Sequence, residues 1–568
     1  MCRRRNLRVM TNSLTGTPDP RVRRYVLPTH VVWQTDGDSV LDAEHLLTND
    51  TGQAIINFMT YTSCQMKSRN GATASILLDF GRELHGGIQI LIAHANKPFV
   101  TVRIRLGESV SEAMGDPNND HALNDFTLNL PHMSAQEFGM TGFRFCRLDL
   151  PDDGAEAQIV SVRAVSLNRE LEYVGAFRSS DDLLNRIWEV GAYTVHLNMQ
   201  DYVWDGIKRD RLVWLGDMHP ETRVILSVFG ADGVKVLTDS LDYARDRTPL
   251  PRWMNGMISY SFWWVLMHRD LYLYRGDLPY LEAQRPYLTG LLSQMASMVD
   301  SEGREQLSGG MRFLDWPTEA LGDAPKDAGL HALLLLAIEA GETLCAVLKD
   351  VETAGACRDA AARLRRYQPP LETGSKQAAA LLALADIYPP AEVNDAVLSR
   401  DPLVGLSPFY GYYVLEARAK AGDTNGALAA IRTFWGAMLD LGATTFWEHF
   451  DMAWIEGAAR IDELTPPGKI DVHATYGDYC FKGWRHSLCH GWSGGPTAWL
   501  TEHVLGLAPL EPGCRRVRVA PNLGDLDWAE GALPTPFGPV HVRHEKAANG
   551  TIHSEISAPE GVAIESRG

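Results

Sequence analysis

The spacing of apolar residues changes twice along this chain of 568 residues, and these changes divide it into three parts. From about residue 31 to residue 172, apolar residues occur in short segments rich in β-branched side chains. Examples are ASILLDF, FVTVRIRLG and AQIVSVRAVSL, separated by Gly, Asn, Asp or Pro. Several short strands with turn signals between them favour a β-sandwich.

The pattern becomes helical at Ser179. The segment SSDDLLNRIWEVGAYTVHL places Leu183, Ile187 and Trp188 on one stripe, behind serine and acidic residues that are typical helix caps. Helical periodicity continues to about Leu507 and predicts roughly ten to twelve helices. Paired helices in this number can close into an α/α toroid, although periodicity alone does not separate that fold from other helical folds. Strand patterns return after Leu507, in RRVRVAP, GPVHVRHEK and GTIHSEIS.

The three patterns predict a multidomain protein. We expect the first β-rich part to be a scaffold rather than a separate carbohydrate-binding module, and the last one to stabilise the helical part without carrying chemistry. The predicted parts are a flexible lead over residues 1–28, an N-terminal β-sandwich over 29–174, a helical domain over 175–507 and a small C-terminal β-sheet domain over 508–568.

Charge and cysteine usage exclude several classes of partner. The formal net charge of -18 argues against nucleic acid and anionic membranes as partners, because both would repel the chain. The sequence contains no run of 18 apolar residues, so it predicts no membrane span. The eight cysteines are scattered without a CxxC pair, which fits reduced thiols better than a zinc knot or a disulfide framework. The N-terminus is basic but lacks the apolar part of a signal peptide, so we expect a cytoplasmic protein, or a periplasmic or secreted one if translation starts elsewhere.

The densest set of chemically useful side chains lies in WDGIKRDRLVWLGDMHPE, which interrupts the helical pattern. It contains the carboxylic acids Asp205, Asp210, Asp217 and Glu221, together with basic residues and two tryptophans. One interpretation of this segment is a solvated charged loop without a function. That interpretation explains the interleaved tryptophans poorly. Such mixing favours a position at the lip of an apolar pocket, where charged groups must be paired or used.

Aromatic and acidic residues recur together in three other loops of the helical part. Each occurrence alone is more often structural, but their repetition between helices is typical of sugar recognition, in which flat rings pack on C–H faces and carboxylates bind hydroxyls. The three segments are MRFLDWP with Asp315 and Trp316, GATTFWEHFD with Trp447 and Glu448, and GWRHSLCHGWSGGPTAWL with His490 and Trp492.

Cleavage of a glycosidic bond needs two carboxyl groups, one to protonate the leaving oxygen and one to activate water on the opposite ring face. Asp210 and Glu448 lie on separate loops that a closed toroid can bring to the same end. Other chemistries lack their motifs, since GxSxG, GxxxxGK[ST] and HExxH do not occur. The scattered histidines have no convincing ligand spacing, so we predict no metal site.

At these residues the sequence resembles the α-L-rhamnosidases of glycoside hydrolase family 78, which are six-hairpin glycosidases. DGIKRDRLVWLGD resembles the family's D-C-P-Q-R-(D)-E-R-L-G-W-T-G-D motif, and TTFWE is similar to T-T-x-W-E. SLCHGWSGGPTAWL, FLDWP and DFGRELHGGIQI resemble three further segments of the family. The resemblance covers nearly the whole chain in the same order.

The resemblance implies an (α/α)6 toroid barrel flanked by an N-terminal β-sandwich and a small C-terminal β-sandwich. It also implies cofactor-independent hydrolysis of terminal α-L-rhamnosides with inversion, on a carbohydrate substrate. Asp210 would be the general acid, and Glu448 the base that activates water. The remaining expected substrate-binding residues are Asp205, Arg209, Trp214, Asp217, Glu221, Asp315, Trp316, Trp447, His490 and Trp492.

One departure from the family pattern affects the expected acid. Asp210 stands where the family has glutamate, and its reach is shorter by about 1.5 Å if the backbone does not move. A misplacement of that size costs on the order of a hundredfold in rate. The loop then sits closer to the substrate, or Glu221 is the acid, or the sugar is not rhamnose; position in the motif favours Asp210 over Glu221. A glycosidase or lyase acting on another sugar, and a non-catalytic glycan-binding homologue, are the alternatives.

Overall fold

The N-terminal domain is built on one antiparallel sheet. The computed structural model describes residues 16–48, 61–116, 122, 124–479 and 481–566. Within these residues the strand order is β3-β4-β9-β5-β8-β6-β7, with β1 paired to β9 and β2 paired to β5. The strands are β1 Val22–Val26, β2 His30–Gln34, β3 Val40–Leu41, β4 Cys64–Lys67, β5 Ala74–Ala95, β6 Phe99–Gly107, β7 Asp125–Pro131, β8 Ser134–Leu150 and β9 Glu156–Asn168.

The long strand β5 explains how this sheet encloses a core. Almost all of its residues are buried, so both of its faces are covered. Register shifts between Asp79 and Leu84 and between Gly86 and Ile88 bend the strand, as β-bulges do. Ile90 joins an apolar cluster with Val102 and Leu148 from neighbouring strands.

One strand lies where the sequence predicts a flexible lead. β1 pairs with β9 from Val22 opposite Asn168 to Val26 opposite Ala164. The extension of the lead to residue 28 is therefore wrong. The segment VRRYV buries little of its side chains, and backbone pairing with a partner far along the chain, which local sequence does not reveal, holds it in place. Residues 1–15 of the predicted lead lie outside the described residues.

Fifteen α-helices occur in the described chain, and all but the first belong to the helical domain. Two of them, α11 and α15, continue as π-helical turns over Asn394–Leu398 and Leu500–Val504. The helices are α1 Val110–Met114, α2 Asp182–Asn198, α3 Met218–Val228, α4 Ala231–Arg247, α5 Ile258–Arg275, α6 Leu278–Ser297, α7 Trp316–Glu319, α8 Asp323–Val347, α9 Val351–Leu364, α10 Lys376–Leu384, α11 Pro390–Val393, α12 Pro408–Lys420, α13 Thr424–Asp440, α14 Val472–Thr475 and α15 Gly495–Trp499.

Six of these helices close a ring. α3, α5, α8, α10, α12 and α15 each pack on the next, and α15 returns to α3. The outer helices α2, α4, α6, α9, α11 and α13 alternate with them along the chain. Because every inner helix follows an outer one, all inner helices run in the same direction and their N-terminal ends meet at one mouth. The predicted (α/α)6 barrel is confirmed.

Apolar patterning decides which helix lies inside. The inner helix α5 is buried around nearly its whole circumference, whereas the outer helix α4 buries mainly the side that carries Val236, Leu237 and Leu241. Helices apolar on all sides belong in an interior, and amphipathic ones cover a surface. Polar caps fix where helices begin: the Asp181 carboxylate accepts the backbone N–H groups of Leu183 and Leu184 at the start of α2.

The C-terminal part contains two small sheets packed on the barrel core. Their order is β10-β13-β14-β15 and β11-β12-β16. β10 lies within the range predicted for the barrel but extends the C-terminal sheet, because it pairs with β13. The strands are β10 Ala176–Ser179, β11 Leu507–Pro509, β12 Arg516–Val519, β13 Trp528–Leu533, β14 Val540–Lys546, β15 Ile552–Ser557 and β16 Ala563–Ser566.

One described helix, α8, is long and apolar enough to cross a bilayer. In its most apolar window 67% of the residues are buried inside the protein. It packs between α5 and α10 in the inner ring and against the outer helix α9. Its apolar character is therefore accounted for by its place in the barrel core.

We expect Leu334→Ala in α8 to lower the free energy of unfolding by about 2–5 kcal/mol, because the fully buried side chain leaves a cavity in the inner ring. Denaturant titration followed by circular dichroism measures the loss. Val351→Ala, at a site 83% exposed, is the control and is expected to change stability little. Equal effects of the two substitutions would contradict the assignment of α8 to the barrel interior.

Candidate active site

The candidate site lies at the mouth where the inner helices begin. The acidic loop, residues 204–217, connects α2 to α3 and is held by two hydrogen bonds between its own residues. The Asp205 N–H donates to the Leu212 carbonyl at 3.1 Å, and the Leu212 N–H donates to Asp205 Oδ1 at 2.9 Å. Asp217 ends the loop immediately before α3. Gly491, just before α15, donates its N–H to the Asp205 carbonyl at 2.8 Å. These contacts join the acidic loop to the 484–491 loop.

A cavity of about 70 Å³ opens between these loops. Nine of the residues predicted from the sequence contribute to its wall: Asp205, Arg209, Asp210, Trp214, Asp217, Trp316, Glu448, His490 and Trp492.

Arg209 joins the two predicted catalytic carboxylates. Its Nη2 forms a very short ion pair with Glu448 Oε2, and its Nη1 lies 3.4 Å from Asp210 Oδ1. Oxygens held by the two terminal nitrogens of one planar guanidinium are no more than about 8 Å apart. This bound admits both the separation of about 5–5.5 Å in retaining glycosidases and the lower part of the range of about 6.5–9.5 Å in inverting ones.

The surroundings of Glu448 keep it ionised. Burial alone would raise the pKa of its carboxyl, but the Arg209 guanidinium and then His490 lower that pKa below its ordinary value. Ser487 donates its backbone N–H to Glu448 Oε2 at 3.1 Å. Only 3% of the Glu448 side chain is exposed, so a charged acceptor is held deep in the cavity.

Asp210 lies nearer to solvent than Glu448, with 30% of its side chain exposed. Its φ of 56° and that of Arg211, 52°, place two successive residues in the left-handed region. Asp is several-fold enriched in that region among residues with a side chain. The backbone of this turn therefore gives a physical reason for Asp at the position where the family motif has glutamate.

His490 lies between two acids of the site. Its Nε2 is hydrogen bonded to Asp217 Oδ2 at 3.1 Å, and its Nδ1 is 3.8 Å from Glu448 Oε1. Burial lowers the pKa of the imidazole, but Glu448 and Asp217 outweigh burial and raise it. The site therefore favours the imidazolium form of His490.

Asp205 and Asp217 share this side of the cavity. Burial is the largest influence on both and raises the pKa of each carboxyl above its usual range. Asp217 retains compensating partners, since the Tyr260 hydroxyl donates to its Oδ1 at 3.0 Å. Asp205 therefore tends toward the neutral acid form, which can donate as well as accept a hydrogen bond.

Aromatic rings form the rest of the wall. Trp492 stacks on Phe409 with ring centroids 4.7 Å apart, and its indole N–H donates to the Glu448 carbonyl at 2.9 Å. Trp214 and Trp316 are half-buried, with parts of their rings left accessible. The lining residues that sequence reasoning missed are Met257, Tyr260, Phe313 and Phe481. A weak signal existed for Tyr260 and Phe313, because each is near a predicted loop–helix junction.

The structure places Glu221 outside the cavity, against the expectation that it binds substrate or acts as the acid. Its side chain is fully buried in the first turns of α3, close to Gly491, where a Cβ would lie 1.4 Å from Glu221 Oε1. Neither carboxyl oxygen has a hydrogen-bond partner among the described residues. Burial, with Asp217 and Asp205 nearby, raises the pKa of Glu221 well above its usual range. Helical periodicity turns this side chain into the core instead of toward the mouth.

Asp315 and Trp447 also differ from expectation, since neither lines the cavity. Asp315 caps α7 by accepting the Trp316 N–H at 2.8 Å and accepts the Ser407 hydroxyl at 2.5 Å. Burial raises its pKa to about 7. Trp447 is 1% exposed and packs edge-to-face on Phe450. Asp315 thus binds the backbone of the wall residue Trp316, and Trp447 immediately precedes the wall residue Glu448, but neither side chain borders the cavity.

Two described groups have spacings that a metal ion could use, and both lie away from the cavity wall. One contains Glu108, Glu112 and His473; the other contains Glu416, Glu502 and His503. Positive side chains already contact these acids. Lys208 Nζ lies 3.1 Å from Glu108 Oε2 and 3.0 Å from Glu112 Oε1. The sequence expectation of no metal and no cofactor stays a prediction.

Two family models match the chain. Residues 172–368 match the bacterial α-L-rhamnosidase six-hairpin glycosidase domain, and residues 506–565 match the bacterial α-L-rhamnosidase C-terminal domain. An α-L-rhamnosidase of Alteromonas sp. (strain LOR) is 23% identical over 546 residues, which cover 86% of this chain and 55% of that protein. These matches confirm the resemblance found in the motifs.

Solved structures share the fold. A family 78 rhamnosidase of Bacillus sp. GL1 superposes with a TM-score of 0.71 at 23% identity, over 89% of this chain and 54% of that one. The Streptomyces avermitilis α-L-rhamnosidase, solved with L-rhamnose, gives a TM-score of 0.68 at 19% identity, over 89% and 50% of the two chains. The chain thus spans about half the length of these relatives.

We expect Glu221→Gln to gain stability relative to the wild type as pH rises. A raised folded-state pKa means that the contribution of Glu221 is fully present below the unfolded pKa, about 4.3, and is lost as pH rises through the folded value. Glutamine removes this dependence, which amounts to about 1.4 kcal/mol per pH unit across that window. Urea titrations between pH 5 and pH 8 measure the difference.

The exposed Glu352→Gln on α9 is the matched control and should follow the wild-type pH dependence. Stability curves of the Glu221→Gln variant and the wild type that run parallel across this window would show that Glu221 is not a buried neutral acid.

Proposed function

We propose that this chain, a member of the bacterial α-L-rhamnosidase family by its six-hairpin glycosidase and C-terminal domains, is an inverting glycosidase that releases terminal α-L-rhamnose from glycosides. The observation that carries the proposal is the pairing of Asp210 and Glu448 with one guanidinium at different depths of one cavity. A donor near the mouth and an ionised acceptor farther inside provide the two roles that inversion requires.

In the proposed reaction the sugar lies between Asp210 and Glu448. Glu448 accepts a proton from water as the water oxygen bonds to the anomeric carbon. The bond from that carbon to the leaving oxygen breaks, and Asp210 gives this oxygen its proton. Because Asp210 is at the exposed side, the aglycone leaves through the mouth while the water attacks from the buried side.

The polar wall is suited to hold sugar hydroxyls. His490 Nδ1 is buried without a hydrogen-bond partner among the described residues, and Asp205 and Asp217 lie beside it. Buried polar groups without partners are costly, so a substrate that pairs with them is favoured over one that does not. Trp214 and Trp316 would pack on the C–H faces of the ring.

A cytoplasmic location is part of the proposal. It is supported by six free, buried thiols in the described chain: Cys64, Cys146, Cys345, Cys357, Cys489 and Cys514. Such cysteines are typical of proteins that work in reducing compartments.

We expect Glu448→Gln to lower kcat on nitrophenyl α-L-rhamnoside by about a hundredfold to ten-thousandfold, since the water loses its base. Asp210→Asn is expected to lose less on this activated leaving group than on a natural rhamnoside, whose alkoxide needs a proton. Steady-state kinetics on both substrates measure the two ratios.

Glu221→Gln is the matched control for these variants, because it changes an acid that lies outside the cavity, and it should retain activity within severalfold. Wild-type rates in Glu448→Gln would end the assignment of the base. A larger loss in Glu221→Gln than in Asp210→Asn would transfer the acid role to Glu221. Cleavage of another sugar in preference to rhamnose, in a panel of aryl hexosides, deoxyhexosides and uronides, would replace the proposed substrate.

The proposed mechanism also fixes the first product. Attack from the face opposite the leaving group is expected to release β-L-rhamnose from an α-rhamnoside, followed by slower mutarotation. Proton NMR of the anomeric region during the first minutes of the reaction measures the product ratio. Initial appearance of the α anomer would indicate retention and contradict the roles given to Asp210 and Glu448.

A further inference from the structure

A lysine without a place in the proposed chemistry is buried where the N-terminal domain meets the acidic loop. Lys208 precedes Arg209 and is 1% exposed. Its ammonium contacts two glutamates of the N-terminal domain, Glu108 and Glu112, at 3.1 and 3.0 Å. An isolated buried ammonium is strongly unfavourable, so these acids and their partners determine where the loop can sit.

Lys208 and Arg209 together hold three successive carbonyls of the 484–491 loop. Lys208 Nζ donates to the carbonyls of Trp484 at 2.5 Å and His486 at 2.9 Å. Arg209 Nε donates to the carbonyl between them, that of Arg485, at 2.6 Å. Three consecutive peptide units are therefore fixed by two neighbouring cations.

Glu108 holds the next two residues of the same loop. Its Oε2 accepts the Leu488 N–H at 2.6 Å, and its Oε1 accepts the Ser487 hydroxyl at 3.3 Å. Glu108 is fully buried and belongs to the turn before α1, in the N-terminal domain. A carboxylate of one domain thus sets the backbone of a loop in another.

The fixed loop reaches the proposed base directly. Ser487 donates its N–H to Glu448 Oε2 at 3.1 Å, while the Glu448 N–H donates to the Ser487 carbonyl at 3.0 Å. The peptide that carries the Ser487 N–H also carries the His486 carbonyl held by Lys208, and the hydroxyl held by Glu108 belongs to the same serine. Movement of either support would displace the donor on Glu448.

We propose that Glu108 and Lys208 are positioning residues, through which the N-terminal domain orients the Glu448 carboxylate for water activation. This inference rests on the proposed function, since it gives the base a support, but its contacts do not depend on which sugar is bound. The N-terminal domain is then part of the catalytic unit as well as a scaffold.

The charge of Lys208 fits this role in this chain. The family motif has glutamine at the corresponding position, which could accept and donate hydrogen bonds but could not balance two buried glutamates. Lys208 Nζ already supplies the cation that Glu108, Glu112 and His473 could otherwise share. Replacing Lys208 alone by a neutral residue leaves Glu108 and Glu112 without their cation. Replacing Lys208 and Glu112 together removes one positive and one negative charge, so the net charge of the cluster does not change.

The test uses the full chain and the variant Glu108→Gln, which keeps the size of the side chain but loses one accepting oxygen. We expect kcat to fall about tenfold to a hundredfold, as for an ångström-scale misplacement, with KM and the dissociation constant of L-rhamnose within about threefold of wild type. Misplacement of the Ser487 N–H raises the Glu448 pKa, whereas loss of the Glu108 charge lowers it. We expect the first effect to be the larger, so the acidic limb of the kcat profile should move to higher pH.

A matched control separates positioning from stability. Asp149 is another buried carboxylate of the N-terminal domain, paired with Arg105 at 3.0 Å and Arg147 at 2.7 Å, and its ion pairs among the described residues do not involve the 484–491 loop. Asp149→Asn is expected to lower Tm without moving the pH profile. We also expect Lys208→Gln to lose kcat and Lys208→Gln/Glu112→Gln to recover part of it.

Wild-type kcat and pH profile in Glu108→Gln would overturn the inference, as would the same kinetic loss in Asp149→Asn. Failure of the proposed function is distinguished by a readout that needs no turnover. In protein labelled with carboxyl-¹³C glutamate, the Glu448 resonance is assigned through Glu448→Gln and titrated. A higher Glu448 pKa in Glu108→Gln than in wild type supports positioning whatever the substrate is, and an unchanged or lower pKa overturns it.

Discussion

The ion pair between Arg209 and Glu448 is the contact on which the candidate site depends. Both side chains are almost completely buried, and a buried carboxylate persists as an anion only when a cation and hydrogen bonds offset its lost hydration. The planar guanidinium reaches Glu448, Asp210 and the Arg485 carbonyl at once, which fixes their mutual arrangement. Removing one partner of such a pair typically costs about 3–5 kcal/mol. The same guanidinium therefore fixes both the arrangement of the two carboxylates and the conformation of the 484–491 loop.

The barrel makes that arrangement possible without supplying its chemistry. Alternation of inner and outer helices brings the N-terminal ends of all inner helices to one mouth, so loops distant in sequence become neighbours. The functional residues lie on these loops, because the rigid helices hold the loops in place while the side chains of the loops are free to vary. The Lys208 and Glu108 contacts extend this support to the N-terminal domain, whose acids reach the back of the loop that faces Glu448.

Motif spacing identified most of the cavity wall, but it failed for residues whose direction depends on packing. Glu221 lies in the same dense motif as Asp217, yet one turn of helix directs it into the core. Trp447 precedes Glu448 in sequence, but it packs on Phe450 and does not line the cavity. Asp315 caps a short helix instead of reaching the mouth. Met257 and Phe481 enter the wall from segments whose local patterns carry no acid or sugar-binding signal.

The sequence by itself determined the order of the β-rich and helical parts, the paired helices and the acidic and aromatic loops, because these follow from local periodicity and from residue types that few other chemistries combine. The tertiary structure alone decided which acids share a cavity, which acid has its pKa raised by burial in the core, and that Val22–Val26 pairs with β9. Ring closure, burial and charge pairing join residues hundreds of positions apart. Their energies depend on three-dimensional neighbours that no local pattern specifies.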